Sequence, residues 1–204
     1  MGLFEGRLDN HTCGSQYNSG ESNQTGGIPI VVGSSNPTNS VVFTESVYLK
    51  ASKYVFSAVN KEYPTKAVCN IGVQEMSKIL FGKVLTELNG IANTIYNNLE
   101  SSTKWHKIDY TKVNEYANKG YFVLAAYNSG TSASGHVVTI LPGHAGSTWK
   151  DIFVMDTGYS EWTTKSGQSG NSRSESQNIK NSFGEKNVRA KLENSVYIII
   201  NKSL

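Results

Sequence analysis

The feature that most constrains this chain is a change of texture near residue 120. Before it, apolar residues recur at helical spacing; after it, they gather in short β-branched or aromatic runs. From 44 to 60, "TESVYLKASKYVFSAVN" spaces Val47, Ala51, Tyr54, Val55 and Ala58 along one helical face, with Thr44 as N-cap. Tyr63-Pro64 then interrupts, because the residue before a proline disfavours helix. A second helix is predicted over about 68–81. Gly72, Val73, Met76, Ile79 and Leu80 form its stripe, and Gly82 closes it. Two more helices are predicted at 89–101 and 110–120. Strands are predicted in "YFVLAAY" (121–127), "HVVTIL" (136–141), "IFVMD" (152–156) and "SVYIII" (195–200). Helices first and strands afterwards predict an α+β fold: N-terminal helices, one carrying Cys69, packed on a small antiparallel sheet.

The polar texture of the first 40 residues separates them from this pattern. Residues 9–40 are mostly Asn, Ser, Gly and Thr around one apolar island, "IPIVV" (28–32). They read as an arm or set of loops, so the expected division is a polar arm over 1–43 and one domain over 44–204. The stretch 163–186 reads as a mobile loop or one lining a cleft. Nineteen basic residues against 16 acidic give a net charge of +3, but the lysines are scattered, so no nucleic-acid footprint is expected. No run approaches 18 apolar residues, so no membrane span is expected. The N-terminus lacks the layout of a secretory signal. A cytoplasmic protein, export by another route and a trimmed signal all stay open.

Chemistry is concentrated in three residues. Cys69 stands at the start of the second helix, His136 opens a strand in "SASGHVVTILPG", and Asp156 ends the next strand in "VMDTG". The partial positive charge of a helix N-terminus and a nearby imidazolium both favour a thiolate, and backbone N–H groups there can hold an oxyanion. A carboxylate behind the ring sets its tautomer and orientation. Alternation sends Val138 and Ile140 to the same face as His136. Each residue also has a bland reading: a lone cysteine fills cores, a strand-end histidine is often structural, and Asp before Thr-Gly starts turns. Cys13 and Cys69 permit one disulfide, which local texture argues against, since one lies in a polar, Gly-rich segment and the other in a helix. His11 and Cys13 are close, but no second ligand pair follows, so no metal and no cofactor are expected. Trp105, Trp149, Tyr159 and Trp162 are candidates to line a groove; the core reading is favoured for Trp105, while Trp149 and Trp162 flank the third strand, where a cleft wall is expected.

"CNIGVQEMSKIL", followed by "SGHVVTILPG", resembles the papain-like cysteine amidases of bacterial cell-wall metabolism. These are the NlpC-type peptidases, the CHAP-domain amidases and the amidase effectors of type VI secretion systems. The resemblance covers roughly 65–160, and "LNGIANTIYNNLESSTKW" before "GYFVLAAYN" is similar to the linking region of secreted or toxin-associated members. It implies a papain-like fold with Cys69 as nucleophile, His136 as general base and acid, and Asp156 as the orienting residue, with Asn128 competing for that last role. It also implies that the loop 128–135 faces substrate. Asn128, Ser134 and Gly135, together with Trp162, are the expected substrate-binding residues. The implied substrate is the peptide stem or cross-link of peptidoglycan. Delivery to a bacterial periplasm without a signal peptide, an immunity protein that plugs the cleft, and a monomeric state are further expectations. Two other readings stay open: a papain-like protease, deamidase or transglutaminase acting on proteins, and a non-catalytic binding module.

Overall fold

The computed structural model describes residues 42–64, 66–128, 130, 135–158, 173–184 and 196–199. The island 28–32, the histidine His11 and Cys13 lie outside the described residues, as do Thr65, Ser134, Tyr159 and Trp162.

Four helices precede or flank the main strands. Helix α1 spans Glu45–Glu62, and the Thr44 hydroxyl accepts from the Val47 N–H at 3.3 Å, satisfying one of the donors a helix start leaves open. Helix α2 spans Cys69–Phe81 and stops at Gly82, whose φ of 74° is the left-handed cap that glycine adopts without steric cost. Helix α3 spans Ala92–Ser101. Helix α4, Val113–Asn118, is shorter than the segment predicted, because its first turn is a tight 3-10 turn over Tyr110–Lys112 capped by Asp109.

The buried face of α1 differs from the predicted stripe. It carries Tyr48, Ala51, Ser52, Val55 and Val59, whereas Tyr54 and Ala58 face solvent. Tyr48 and Val59 extend the i, i+3, i+4 series through Ala51 and Val55 further than Val47 and Ala58 do.

The strands are β1 (Trp105–Lys107), β2 (Val123–Tyr127), β3 (His136–Ile140), β4 (Phe153–Asp156), β5 (Ser174–Asn178) and β6 (Val196–Ile199). They form one antiparallel sheet in the order β1-β6-β2-β3-β4-β5. The class is therefore α+β, with N-terminal helices on an antiparallel sheet. Strands β1 and β5 occupy the sheet's two ends; neither was predicted. A fifth helix, α5 (Ile179–Phe183), follows β5 directly and is capped by Asn178.

Both faces of the sheet are covered, which explains why "VLAAY" is apolar throughout instead of alternating. One face, with Leu124, Ala126, Val137 and Met155, packs under α1, α2 and α3. The other, with Val123, Ala125, Val138, Ile140 and Val154, packs against α4 and α5. Phe43 is buried in the first cluster and its N–H bonds the Gly120 carbonyl at 2.8 Å. The folded unit therefore includes residue 43, which the predicted arm had claimed.

Candidate functional site

Because β3 and β4 are antiparallel, the start of one and the end of the other share an edge of the molecule. Thr139 pairs with Met155, and continuing that register sets His136 opposite Gly158. The imidazole lies against this glycine: a Cβ at position 158 would stand 2.7 Å from His136 Cε1 and 3.3 Å from Nδ1. On its other side the ring meets Phe183 of α5 edge-on, with centroids 4.9 Å apart. Glycine at 158 is thus required by close approach, and the ring sits in a slot between Gly158 and Phe183.

The slot holds the ring by its Nε2 edge. Nε2 is 3.1 Å from Asp156 Oδ2 and 2.8 Å from Ser182 Oγ. Asp156 is fully buried, while the His136 side chain keeps 17% of its surface in solvent. The carboxylate accepts further bonds from Gln177 Nε2 at 3.3 Å, Ser182 Oγ at 2.6 Å and, on Oδ1, the Gly158 N–H at 2.7 Å. A buried carboxylate needs such donors, since an unpaired charge away from water is costly. Gln177 and Ser182 come from β5 and α5, both inside the stretch read from sequence as a loop. Their signal is faint: Asn178 followed by Ile179 and Phe183 is a cap with an i, i+4 apolar pair.

The first turn of α2 is tied to the same edge. Thr157 Oγ1 donates to the Val68 carbonyl at 3.0 Å, and the Val68 N–H bonds the Thr157 carbonyl at 3.4 Å. The residue before Cys69 and the residue after Asp156 are therefore joined in both directions. Gly72, one turn into α2, permits this approach, because a Cβ there would overlap the Thr157 hydroxyl. No side chain caps the start of α2. Asn70 and Gln74 instead reach the Gly90 carbonyl, fixing α2 against the turn before α3.

Cys69 itself is 1% exposed and packs in the cluster beneath α1–α3. It is disulfide-bonded, and the chain's one other cysteine is Cys13. This corrects the expectation of unpaired thiols. Local texture is a poor guide to pairing, because closing a longer loop costs only logarithmically more entropy. The hydrogen bonds of the His136 ring run to Asp156 and Ser182, and none joins it to Cys69. The structure thus brings His136 and Asp156 together and places the start of α2 beside them. It leaves sulfur and imidazole without a bond.

The other expected site residues divide. Asn128 donates to Asn97 of α3 at 2.9 Å and accepts from the Gly130 N–H at 2.9 Å, so its side chain ties Gly130 to α3; the carboxylate bonded to His136 is that of Asp156. Gly135 is buried, and a Cβ there would overlap the Tyr127 carbonyl and Asn93 Oδ1, so its role in this structure is close packing beside His136. Ser134 and Trp162 fall outside the described residues. Trp105 is a core residue, 3% exposed. Trp149 packs on the second apolar cluster, with the Lys150 ammonium 5.6 Å from its ring centre.

Among the described residues, no group of three His, Cys, Asp or Glu side chains is placed to hold a metal ion. No helix among them is long and apolar enough to cross a membrane. No protein-family model, curated protein or solved structure matches the chain.

Proposed function

We propose that this chain is a cysteine hydrolase of papain-like type that cleaves amide bonds, with Cys69 as nucleophile, His136 as general base and acid, and Asp156 as the residue that orients the imidazole. The observation that carries the reading is the two-way hydrogen bonding of Val68 to Thr157. It sets a helix N-terminus that begins with cysteine against the strand end that carries the His136–Asp156 pair.

The chemistry requires Cys69 in its reduced form. A thiol reductant must first cleave the disulfide, delivering two electrons and releasing Cys69 as a thiol. His136 then takes the thiol proton, and the sulfur attacks the amide carbonyl carbon. The C–N bond breaks as the imidazolium returns that proton to the leaving amine, giving an acyl-thioester and a neutral ring. Water, deprotonated by His136, hydrolyses the thioester and restores the thiol. First-turn N–H groups of α2 face the developing oxyanion in this scheme.

Resemblance of the motifs to cell-wall amidases supports peptidoglycan peptides as substrate, with delivery to a periplasm and an immunity protein as the accompanying biology. The disulfide supports a second reading. Disulfides persist in oxidising compartments, the periplasm among them, and are reduced in cytosol. A nucleophile held this way is released where proteins, not peptidoglycan, are the available amides. Mass spectrometry of fragments from defined muropeptides and from denatured protein, each with and without dithiothreitol, decides between the two. Reductant-dependent cleavage of muropeptides, lost in Cys69→Ala, supports the wall substrate, and cleavage of protein alone supports the second. Cleavage by Cys69→Ala equal to wild type removes the nucleophile assignment.

A further inference from the structure

Ser182, His136 and Asp156 form a closed triangle of polar atoms. Its sides are 2.6 Å from Ser182 Oγ to Asp156 Oδ2, 2.8 Å from Ser182 Oγ to His136 Nε2, and 3.1 Å from His136 Nε2 to Asp156 Oδ2. Ser182 is fully buried, so no solvent competes for its hydroxyl. We infer that Ser182 is a positioning residue for His136: it shares the Nε2–H with Asp156, holds the ring in one tautomer and leaves Nδ1 as the nitrogen that moves protons. The inference rests on the role proposed above for His136.

A hydroxyl has one hydrogen to give and two lone pairs to accept with, whereas the carboxylate only accepts. Suppose Nε2 carried no hydrogen. The Ser182 proton could then satisfy either the ring or Asp156, and the His136–Asp156 side would bring two acceptors to 3.1 Å. Moving the ring hydrogen to Nε2 resolves every side. Ser182 donates to Asp156, and the Nε2–H points between Asp156 Oδ2 and Ser182 Oγ as a shared bond. Gln177 gives Asp156 Oδ2 a further donor, and Phe183, next to Ser182 in α5, closes the slot from the side. One short helix thus supplies both a wall and a hydrogen-bond partner for the ring. Burial makes this arrangement stiff, because a polar group deprived of its partner away from water loses a full hydrogen bond. A serine that attacks substrate would instead stand at the nitrogen away from the carboxylate, so Ser182 is not read as a nucleophile.

The test is nitrogen NMR of the full chain labelled at histidine, recorded near pH 8, with the His136 signals identified by their loss in His136→Gln. The expected wild-type spectrum has a single Nε2–H tautomer. Ser182→Ala is expected to give a mixture of tautomers while keeping the native fold, and Ser182→Thr, which retains the hydroxyl, to restore the single form. In amide cleavage, Ser182→Ala is expected to lower kcat about tenfold or more, with KM little changed and the pH–rate profile displaced. A wild-type ring protonated at Nδ1 overturns the inference even if no variant folds. So does a Ser182→Ala chain whose tautomer and pH profile match wild type. The spectrum is read without substrate, so the two proposals fail separately: a single Nε2–H tautomer in a chain that cleaves no amide sinks the hydrolase reading and leaves Ser182 in its place.

Discussion

Two histidines bracket β3, and they are held in opposite ways. His136 opens the strand with Nε2 bonded to Asp156 and Ser182. His144, four residues past the strand's end, lies flat on Phe153 with ring centroids 4.0 Å apart and planes 11° from parallel. Its ring makes no hydrogen bond among the described residues. Burial holds its pKa below the ordinary 6.5, with Glu45 pulling weakly the other way. His144 also lines a cleft of about 420 Å³, beside Glu45, Lys50, Lys53 and Glu175, whereas the His136 ring sits between Gly158 and Phe183. Hollow space alone would favour His144 as the functional residue. Orientation favours His136, because a proton-transfer group must present one defined nitrogen, and only a fixed partner behind the ring secures that.

The largest expected effect breaks that comparison directly. Replacing His136 by alanine should lower the rate of amide cleavage by about 10²–10⁴, whereas His144→Ala should leave it within about twofold. Steady-state kinetics on the substrate identified for reduced protein measures both. Equal losses at the two positions would show that the ring's partners are irrelevant to activity.

Asp156 separates orientation from stability. Asp156→Ala strips an acceptor from Gln177, Ser182, His136 and the Gly158 N–H at once. The expected loss is about 3 kcal/mol of folding free energy, read by urea denaturation, together with activity. Asp156→Asn keeps the volume and one acceptor oxygen. It should recover much of the stability but not the rate, because an amide can offer its N–H to the ring in place of an acceptor.

The same contrast shows what was legible in the chain. His136 and Asp156 were visible because each stands at the end of an apolar run, and antiparallel pairing of neighbouring runs brings such ends together. The helices α1 to α4 were visible through their period, and β2, β3, β4 and β6 as short apolar runs. Ser182 and Gln177 were invisible for a different reason. Strand β5 reads "SESQN" and sits at the sheet's end, where most side chains meet water and no apolar pattern is needed. Helix α5 is too short to show a helical period. A serine within a polar stretch acquires meaning only once burial removes its water. The disulfide at Cys69 was misjudged from local texture, although pairing depends on where two sulfurs meet in space.

A smaller effect sharpens the link between α2 and the His136 edge. Gly72→Ala places a methyl on the Thr157 hydroxyl, which is itself bonded to the Val68 carbonyl. Overpacking of this kind costs about 1–3 kcal/mol. If the start of α2 must stay against the strand end for catalysis, activity should fall by more than the loss of folded protein explains. Denaturation midpoints and kcat on the same sample distinguish the two.

The smallest effect belongs to His144. A histidine whose pKa is lowered in the fold takes up its proton more readily when unfolded, so the unfolded state binds more protons as pH falls below the free value near 6.5. The stability associated with a neutral His144 is therefore fully present above that pH and declines as pH drops through the lower folded pKa. The ring is only part-buried, so the change in melting temperature between pH 7.5 and 5.5 should be slight. His144→Phe keeps the stacking on Phe153 and removes the titration, and it should flatten that part of the curve. His136 differs in kind: Asp156 and Ser182 hold its Nε2 edge, so substitution there should register in the pH dependence of the rate, while substitution at His144 registers only in the melting curve. If His144→Phe instead moved the pH–rate profile, proton transfer would have to be reassigned to the cleft end of β3.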